Sequence, residues 1–535
     1  METIKVIEPR VNVVGDVQKN HIVLYGGMRY TEQVESADSW GSPSSTPINA
    51  VWNIFPASTQ TIVDRYMKIR CYVEITTDAD LQLGTNDALR QYPISAITDV
   101  ITCQINGQAV SDNLGDKVHA MLCYGNRDEL YKSTSMTPNY PDNYQEYSDY
   151  TLYGSGKNPL ASYGECGMSA DPRGGFPVEV IAPNKIRVVI TEPIMISPFL
   201  DGQGHQDEGF VNVNRIQISY RWKSDLSKIL SHATTGNPIT AVDVKFYQAP
   251  EILYTQITPD LTQPIPQLQV LPYNKLQEYL KPSNTFASGE VRQLVSDSIK
   301  LSQIPTHMYV FARHARETSN YLTSDSFLVL EKLDVLWNNQ SGLFSQCGKQ
   351  ELYEISRRNG CNLSYQAFSE YRGSVFCAEF GKDIGLLDTE APQVQGQWTI
   401  QVRPTFRNAS SLGDNWDFYV VFSNGGTFSI SENMGRVSLG NLTSQIVLNA
   451  KTSDELDYHG YENLQGGKFH MKLKHLINKV SRGVQKGAKV AKAMGVPYAS
   501  EVGEVAGLAR KLTGGRVSGG ALASGNVMRK GRRRG

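Results

Sequence analysis

The chain has 535 residues, 40% of them hydrophobic and 20% charged, with 52 Lys/Arg against 53 Asp/Glu and a formal charge of −1. This composition excludes a low-complexity or disordered chain, and the length exceeds what one ordinary core fills, so two or three domains are expected. Seven scattered cysteines without a Cys-x-x-Cys pair argue against zinc and redox motifs and against a disulfide framework.

In chain order, residues 1–44 read as an N-terminal arm. The opening stretch METIKVIEPRVNVV carries early acids and no apolar signal core, and no apolar run reaches the length of a membrane span, so the reducing cytosol or nucleus is the expected compartment. Residues 45–258 read as a first β-sandwich. Ile62 to Ile75 alternates with Arg65 as its main exception, placing Val63, Met67, Ile69, Cys71, Val73 and Ile75 on one face. Arg215 to Trp222 repeats the pattern with Ile216, Ile218, Tyr220 and Trp222 inside. Further strands are expected at Ile186–Ile190, Ala241–Tyr247 and Ile252–Ile257, separated by long Gly/Pro/Asn/Tyr-rich loops, above all Thr137 to Pro177.

Residues 259–272, PDLTQPIPQLQVLP, read as a proline-rich linker or extended crossing segment. A second sandwich is expected over 273–450, with strands at Met308–Arg313, Phe327–Leu336, Gln397–Arg403, Trp416–Phe422 and Gly426–Ser431. Asn424-Gly425-Gly426 is a hairpin signal between the last two, and Lys349 to Asn359 is a helix closed by Gly360. The fold class is therefore all-β, two tandem sandwiches with long loop insertions.

Residues 451–467 form a second linker, and at Gly467 the composition breaks. Residues 468–535 hold 16 Lys/Arg against Glu501 and Glu504, leaving 36 basic and 51 acidic residues before the break. The near-neutral total thus hides an acidic body and a strongly basic tail, a polarity suited to a shell that faces an anion. In 468–515, Leu473, Leu476, Ile477, Val480 and Val484 share one helix face and lysines fill most of the rest. Such a stripe either lies in a membrane interface or docks on protein. Residues 516–535 read as a basic disordered tail ending in Arg529, Lys530, Arg532, Arg533 and Arg534, a flexible polycation fit for phosphate backbone and equally for nuclear import.

Leu464-Gln465-Gly466-Gly467 and Leu512-Thr513-Gly514-Gly515 resemble the aliphatic-x-Gly-Gly sites cut by adenovirus-type cysteine proteases, and Leu24-Tyr25-Gly26-Gly27 has the same form. The resemblance implies cleavage after Gly467 and Gly515, which bracket the helical segment. The body resembles the double-jelly-roll major capsid proteins of the adenovirus, polinton-like and virophage group. The residues that carry this are Ile54-Phe55-Pro56 before the Ile62–Ile75 strand, Asn338-Asn339-Gln340-Ser341-Gly342-Leu343, and Leu352-Tyr353-Glu354-Ile355-Ser356 with Asn359-Gly360. That family implies two jelly rolls side by side, a homotrimer forming a pseudo-hexagonal capsomer of an icosahedral shell, and no enzymatic activity.

Catalytic signatures are absent from the sequence: no Gly-x-Ser-x-Gly, no His-Glu-x-x-His, and Cys347 where a P-loop requires glycine. Asp201, His205, Asp207 and Glu208 read as a solvated acidic loop in preference to a calcium site, and His307 and His314 as a strand and its following loop. The expectation is a structural virion protein without catalytic residue, metal or cofactor. Its expected partners are further copies of itself, other capsid proteins, viral nucleic acid, a host membrane and a viral cysteine protease. It would sit in the virion, with host cytoplasm or nucleus as the place of assembly. The alternatives are a minor capsid or penton-type protein and a carbohydrate-binding β-sandwich.

Overall fold

Strand faces follow the alternation of the sequence. In Ile216–Trp222 the side chains of Ile216, Ile218, Tyr220 and Trp222 are buried, while those between them turn outward. In Lys68–Thr77, Ile69, Cys71, Val73 and Ile75 are buried in the same way. A computed structural model describes residues 5–7, 22–24, 29–41, 48–82, 87–125, 136–138, 141, 176–199, 209–232, 239–258, 267–338, 340–387, 389–410, 413–431, 434–440 and 442–447. Two compact units divide the chain, Met1–Ser444 and Gln445–Gly535. The first holds both sandwiches, and the second is described only over its first three residues.

Every strand pairing in the sheets is antiparallel. The first sandwich packs a five-stranded sheet, in the order Gln108–Asp112, Thr98–Ile105, Ile216–Trp222, Asn49–Ile54 and Ser39–Trp40, against an eight-stranded one. The latter runs Val178–Ala182, Lys185–Pro193, Lys68–Thr77, Glu251–Thr258, Ile62–Asp64 and Gly209–Phe210, with Val242–Phe246 paired to Lys68–Thr77 and Arg29–Ser36 to Glu251–Thr258. The second sandwich has two five-stranded sheets. One orders Leu268–Pro282, Trp416–Ser431, His307–His314 and Phe376–Glu379, with Met434–Leu439 on Trp416–Ser431. The other orders Val291–Gln293, Gln395–Arg407, Val329–Trp337 and Gln340–Leu343, with Ile299–Gln303 on Gln395–Arg407. Among the described residues three α-helices interrupt the strands: α1 (Pro93–Ile97), α2 (Val118–Leu122) and α3 (Lys349–Arg358). In α3 the Glu351 carboxylate accepts the Gly348 N–H at 3.0 Å, and Gly360, at φ 100°, ends the helix as expected.

Four sequence expectations are corrected. Residues 29–36 and 39–40, assigned to an arm, are strands of the first sandwich. Leu268–Pro282 begins inside the supposed linker and carries Pro272 within it. Among the described residues it pairs with a strand on one side only, and a sheet edge is where a strand tolerates proline. The long Ile62–Ile75 strand breaks at 65–67. Arg65 turns into the interior and its Nε donates to Pro198 O at 2.7 Å, while Asp64 Oδ1 takes the Tyr66 N–H at 2.9 Å. Asn424-Gly425-Gly426 is not a turn but the middle of one strand, Trp416–Ser431. The glycines there admit close neighbours: a Cβ on Gly426 would lie 2.3 Å from Ser438 O, and one on Gly425 2.8 Å from Gln393 Nε2.

The outward face of the eight-stranded sheet carries a sunken ion cluster. Lys185, Arg187 and Lys245, from two neighbouring strands, reach the Glu74 carboxylate at 2.9, 2.9 and 3.2 Å. Burial alone would raise the Glu74 carboxyl, but hydrogen bonds from these three cations win and bring it from 4.5 to about 2. A carboxyl lowered on folding stabilises above its unfolded value and loses that contribution as pH falls through the folded one. Urea unfolding at pH 5 and at pH 3 should therefore show Glu74→Gln losing less stability over that interval than the parent chain. Equal losses would mean the cluster contributes nothing in solution.

Candidate functional site: the seam between the sandwiches

The two sandwiches are joined side by side by an interface with apolar ends and a charged middle. At one end Leu271, Tyr273, Phe428 and Ile430 of the second sandwich belong to the same buried cluster as the first core. Gln269 fixes this end, since its Oε1 accepts the Val211 N–H at 3.0 Å and its Nε2 donates to Gly209 O at 2.7 Å. Asn106, in the left-handed region at φ 46°, donates through Nδ2 to Asn212 O and Ser431 O at 2.8 and 2.9 Å. At the other end α2 brings Ala120 and Cys123 against Phe311, Phe327, Val375, Tyr419 and Val421. Tyr124 Oη donates to Val375 O at 2.6 Å, and Asn362 Nδ2 to Leu122 O at 2.9 Å.

Between these ends lies Asp325 of the second sandwich, 4% exposed. Arg90 and Lys228 of the first sandwich reach its carboxylate, each at 3.2 Å, and Arg313 of its own sandwich stands 3.6 Å away. The same cations also have uncharged partners. Arg90 donates to Asn320 O and Thr323 O, Lys228 to Ser319 Oγ, and Arg313 Nη1 to Gly115 O at 2.7 Å. Burial would push the Asp325 carboxyl up, but the surrounding cations together outweigh it and hold it well below the carboxylate range. His119 Nε2 donates to Gln91 O at 2.8 Å, which leaves Nδ1 facing Asp325 at 3.4 Å. Burial, reinforced by Arg372 and Arg313 over the opposing pull of Asp325, pushes His119 down to about 3, so the ring is neutral. Lys228 is also lowered, by burial first and by its cationic neighbours against Asp325. Towards the surface Arg316 pairs with Asp99 and Asp116, and Lys223 with Asp116. This arrangement fixes one sandwich against the other.

Gly467, Gly515, the stripe Leu473, Leu476, Ile477, Val480 and Val484, and the cations Arg529, Lys530, Arg532, Arg533 and Arg534 all lie outside the described residues, as do Asp201, His205, Asp207 and Glu208. His307 and His314 end one strand, against the expectation of a strand and a loop, and His314 Nδ1 pairs with Asp414 at 2.7 Å. Among the residues that carried the resemblance, Ile54, Leu352 and Ser356 are buried, while Phe55 is exposed beneath the Arg215 guanidinium. Sequence reasoning missed Asp325, Arg90 and Lys228. A lone acid ahead of the apolar run Phe327-Leu328-Val329-Leu330 was the available signal for Asp325.

Two family profiles match the chain. The Sputnik virophage major capsid protein 1st domain matches residues 1–187, and the major capsid protein V20 C-terminal domain matches residues 276–426. Together they span well over half of it. The chain belongs to the double-jelly-roll major capsid proteins. The V20 capsid protein of Sputnik virophage is 29% identical over 591 aligned positions, covering 99% of this chain and 97% of that one. The structure of the Sputnik virophage determined by cryo-electron microscopy contains a chain with a TM-score of 0.72 and 28% identity, covering 89% of this chain and 98% of that chain. The mavirus major capsid protein has a TM-score of 0.64 at 16% identity, covering 78% and 92%, and shows the shared fold. The two sandwiches are thus the two jelly rolls of a major capsid protein, a structural component of the virion and not an enzyme.

Proposed function

We propose that three copies of this capsid protein close into a pseudo-hexagonal capsomer of an icosahedral shell. The observation that carries this reading is the seam. Two sandwiches locked side by side by apolar contacts and a buried ion cluster make each copy a two-lobed tile, and three such tiles supply six lobes. The acidic body forms the wall. The basic segment beyond Gly467, with its 16 Lys/Arg, faces packaged nucleic acid, and Arg529, Lys530, Arg532, Arg533 and Arg534 contact phosphates without reading sequence. A viral cysteine protease cuts after Gly467 and Gly515, and the stripe from Leu473 to Val484 then meets a host membrane or a partner subunit. Assembly takes place in host cytoplasm or nucleus.

Light scattering behind size exclusion, on the full chain and on residues 1–467, tests the trimer. The expected mass is three times that of the chain in both cases. A monomer at high concentration in both would overturn the capsomer reading.

A further inference from the structure

Cys123 and Cys361 come from different sandwiches and meet at the α2 end of the seam. Cys123 directly follows α2, and Cys361 follows α3 and Gly360. The Asn362 N–H donates to Cys123 O at 2.8 Å, and the Asn362 side chain donates to Leu122 O, so the backbones at 122–123 and 361–362 run side by side. Both thiols are free and buried. Burial raises the Cys361 thiol most, and a Cys123 thiolate would raise it further. Tyr124 and Gly125 on one side, and the exposed Ser364 and Tyr365 on the other, place the pair near the surface end of the interface.

We propose that Cys123 and Cys361 form a disulfide that staples the two jelly rolls together when a small-molecule disulfide is present. One cysteine thiolate attacks the small disulfide, giving a mixed disulfide and releasing one small thiol. The second thiolate displaces the other small thiol. The two protein thiols lose two protons and two electrons, and the small disulfide is reduced to two thiols. The bridge would join segments far apart in sequence, the case in which a cross-link restrains the unfolded chain most. Burial raises both thiols, Cys361 to about 11, so reaction proceeds through brief openings of the seam and is slow while it is shut. Cys377 also neighbours Cys361 but belongs to the same sandwich, and a 361–377 bridge would leave the two halves unjoined.

The test uses the purified full chain incubated with glutathione disulfide and glutathione at graded ratios. It is run at pH 8 with and without urea below the unfolding midpoint, then quenched, alkylated and mapped by peptide mass spectrometry. The expected result is a linked 123–361 peptide pair that forms faster in mild urea. Its appearance should coincide with an upward shift of the thermal midpoint that a reductant reverses. Cys123→Ser and Cys361→Ser should each abolish the link and the shift, and Cys377→Ser should leave both. Two free thiols at every ratio, including in mild urea, would overturn the proposal, and so would a 361–377 link. The mapping on the parent chain decides the matter even if a serine variant fails to fold.

Discussion

Replacing Asp325 by alanine should destabilise the protein by about 3–5 kcal/mol, because it leaves buried cations without their counter-charge. Arg90 and Arg313 cannot shed their protons, and carbonyl oxygens such as Asn320 O and Gly115 O do not replace the lost negative charge. Lys228 has an escape, since burial already favours its neutral form. Asp325→Asn keeps the shape and one carbonyl acceptor but removes the charge, so it should recover only part of the loss. Urea unfolding at neutral pH, followed by midpoint and slope, measures both. A loss below about 1 kcal/mol, the level of an exposed ion pair, would mean that water reaches the cluster and that the seam relies on its apolar ends.

Removing everything beyond Gly467 should abolish binding to nucleic acid of mixed sequence. Each phosphate contact releases counterions, so the full chain should lose on the order of 10³-fold or more in affinity between 50 and 200 mM salt if six or more tail cations engage. The remaining body, with 51 acidic against 36 basic residues, should repel the polyanion at every salt concentration. Fluorescence anisotropy on a labelled duplex, with both proteins across a salt series, gives affinity and slope together. Equal binding by the two would remove the tail from this role.

What could be read from the sequence was local. The faces of Ile216–Trp222 and Lys68–Thr77, and the end of α3 at Gly360, follow from side-chain period and backbone preference within a few residues. The break at Arg65 needed Pro198, far along the chain, as the acceptor that draws the side chain inward. Asn424-Gly425-Gly426 has the composition of a turn, and only the approach of Ser438 and Gln393 shows why glycine stands there. The seam was illegible for the same reason: Arg90 and Asp325 are 235 positions apart, and neither lies in a motif. Family resemblance supplied the side-by-side arrangement, which strand periodicity alone does not contain.

The sharing of one core between the halves bears on how a shell of such subunits bends. Leu271, Tyr273, Phe428 and Ile430 belong to strands of the second jelly roll but complete the interior of the first. A hinge between the lobes would have to expose those four side chains and unmake the Gln269 bonds to Gly209 and Val211. Close-packed interiors resist such continuous deformation. The two jelly rolls of one copy therefore resist hinging against each other, and the curvature of the particle has to be taken up at the boundaries between copies.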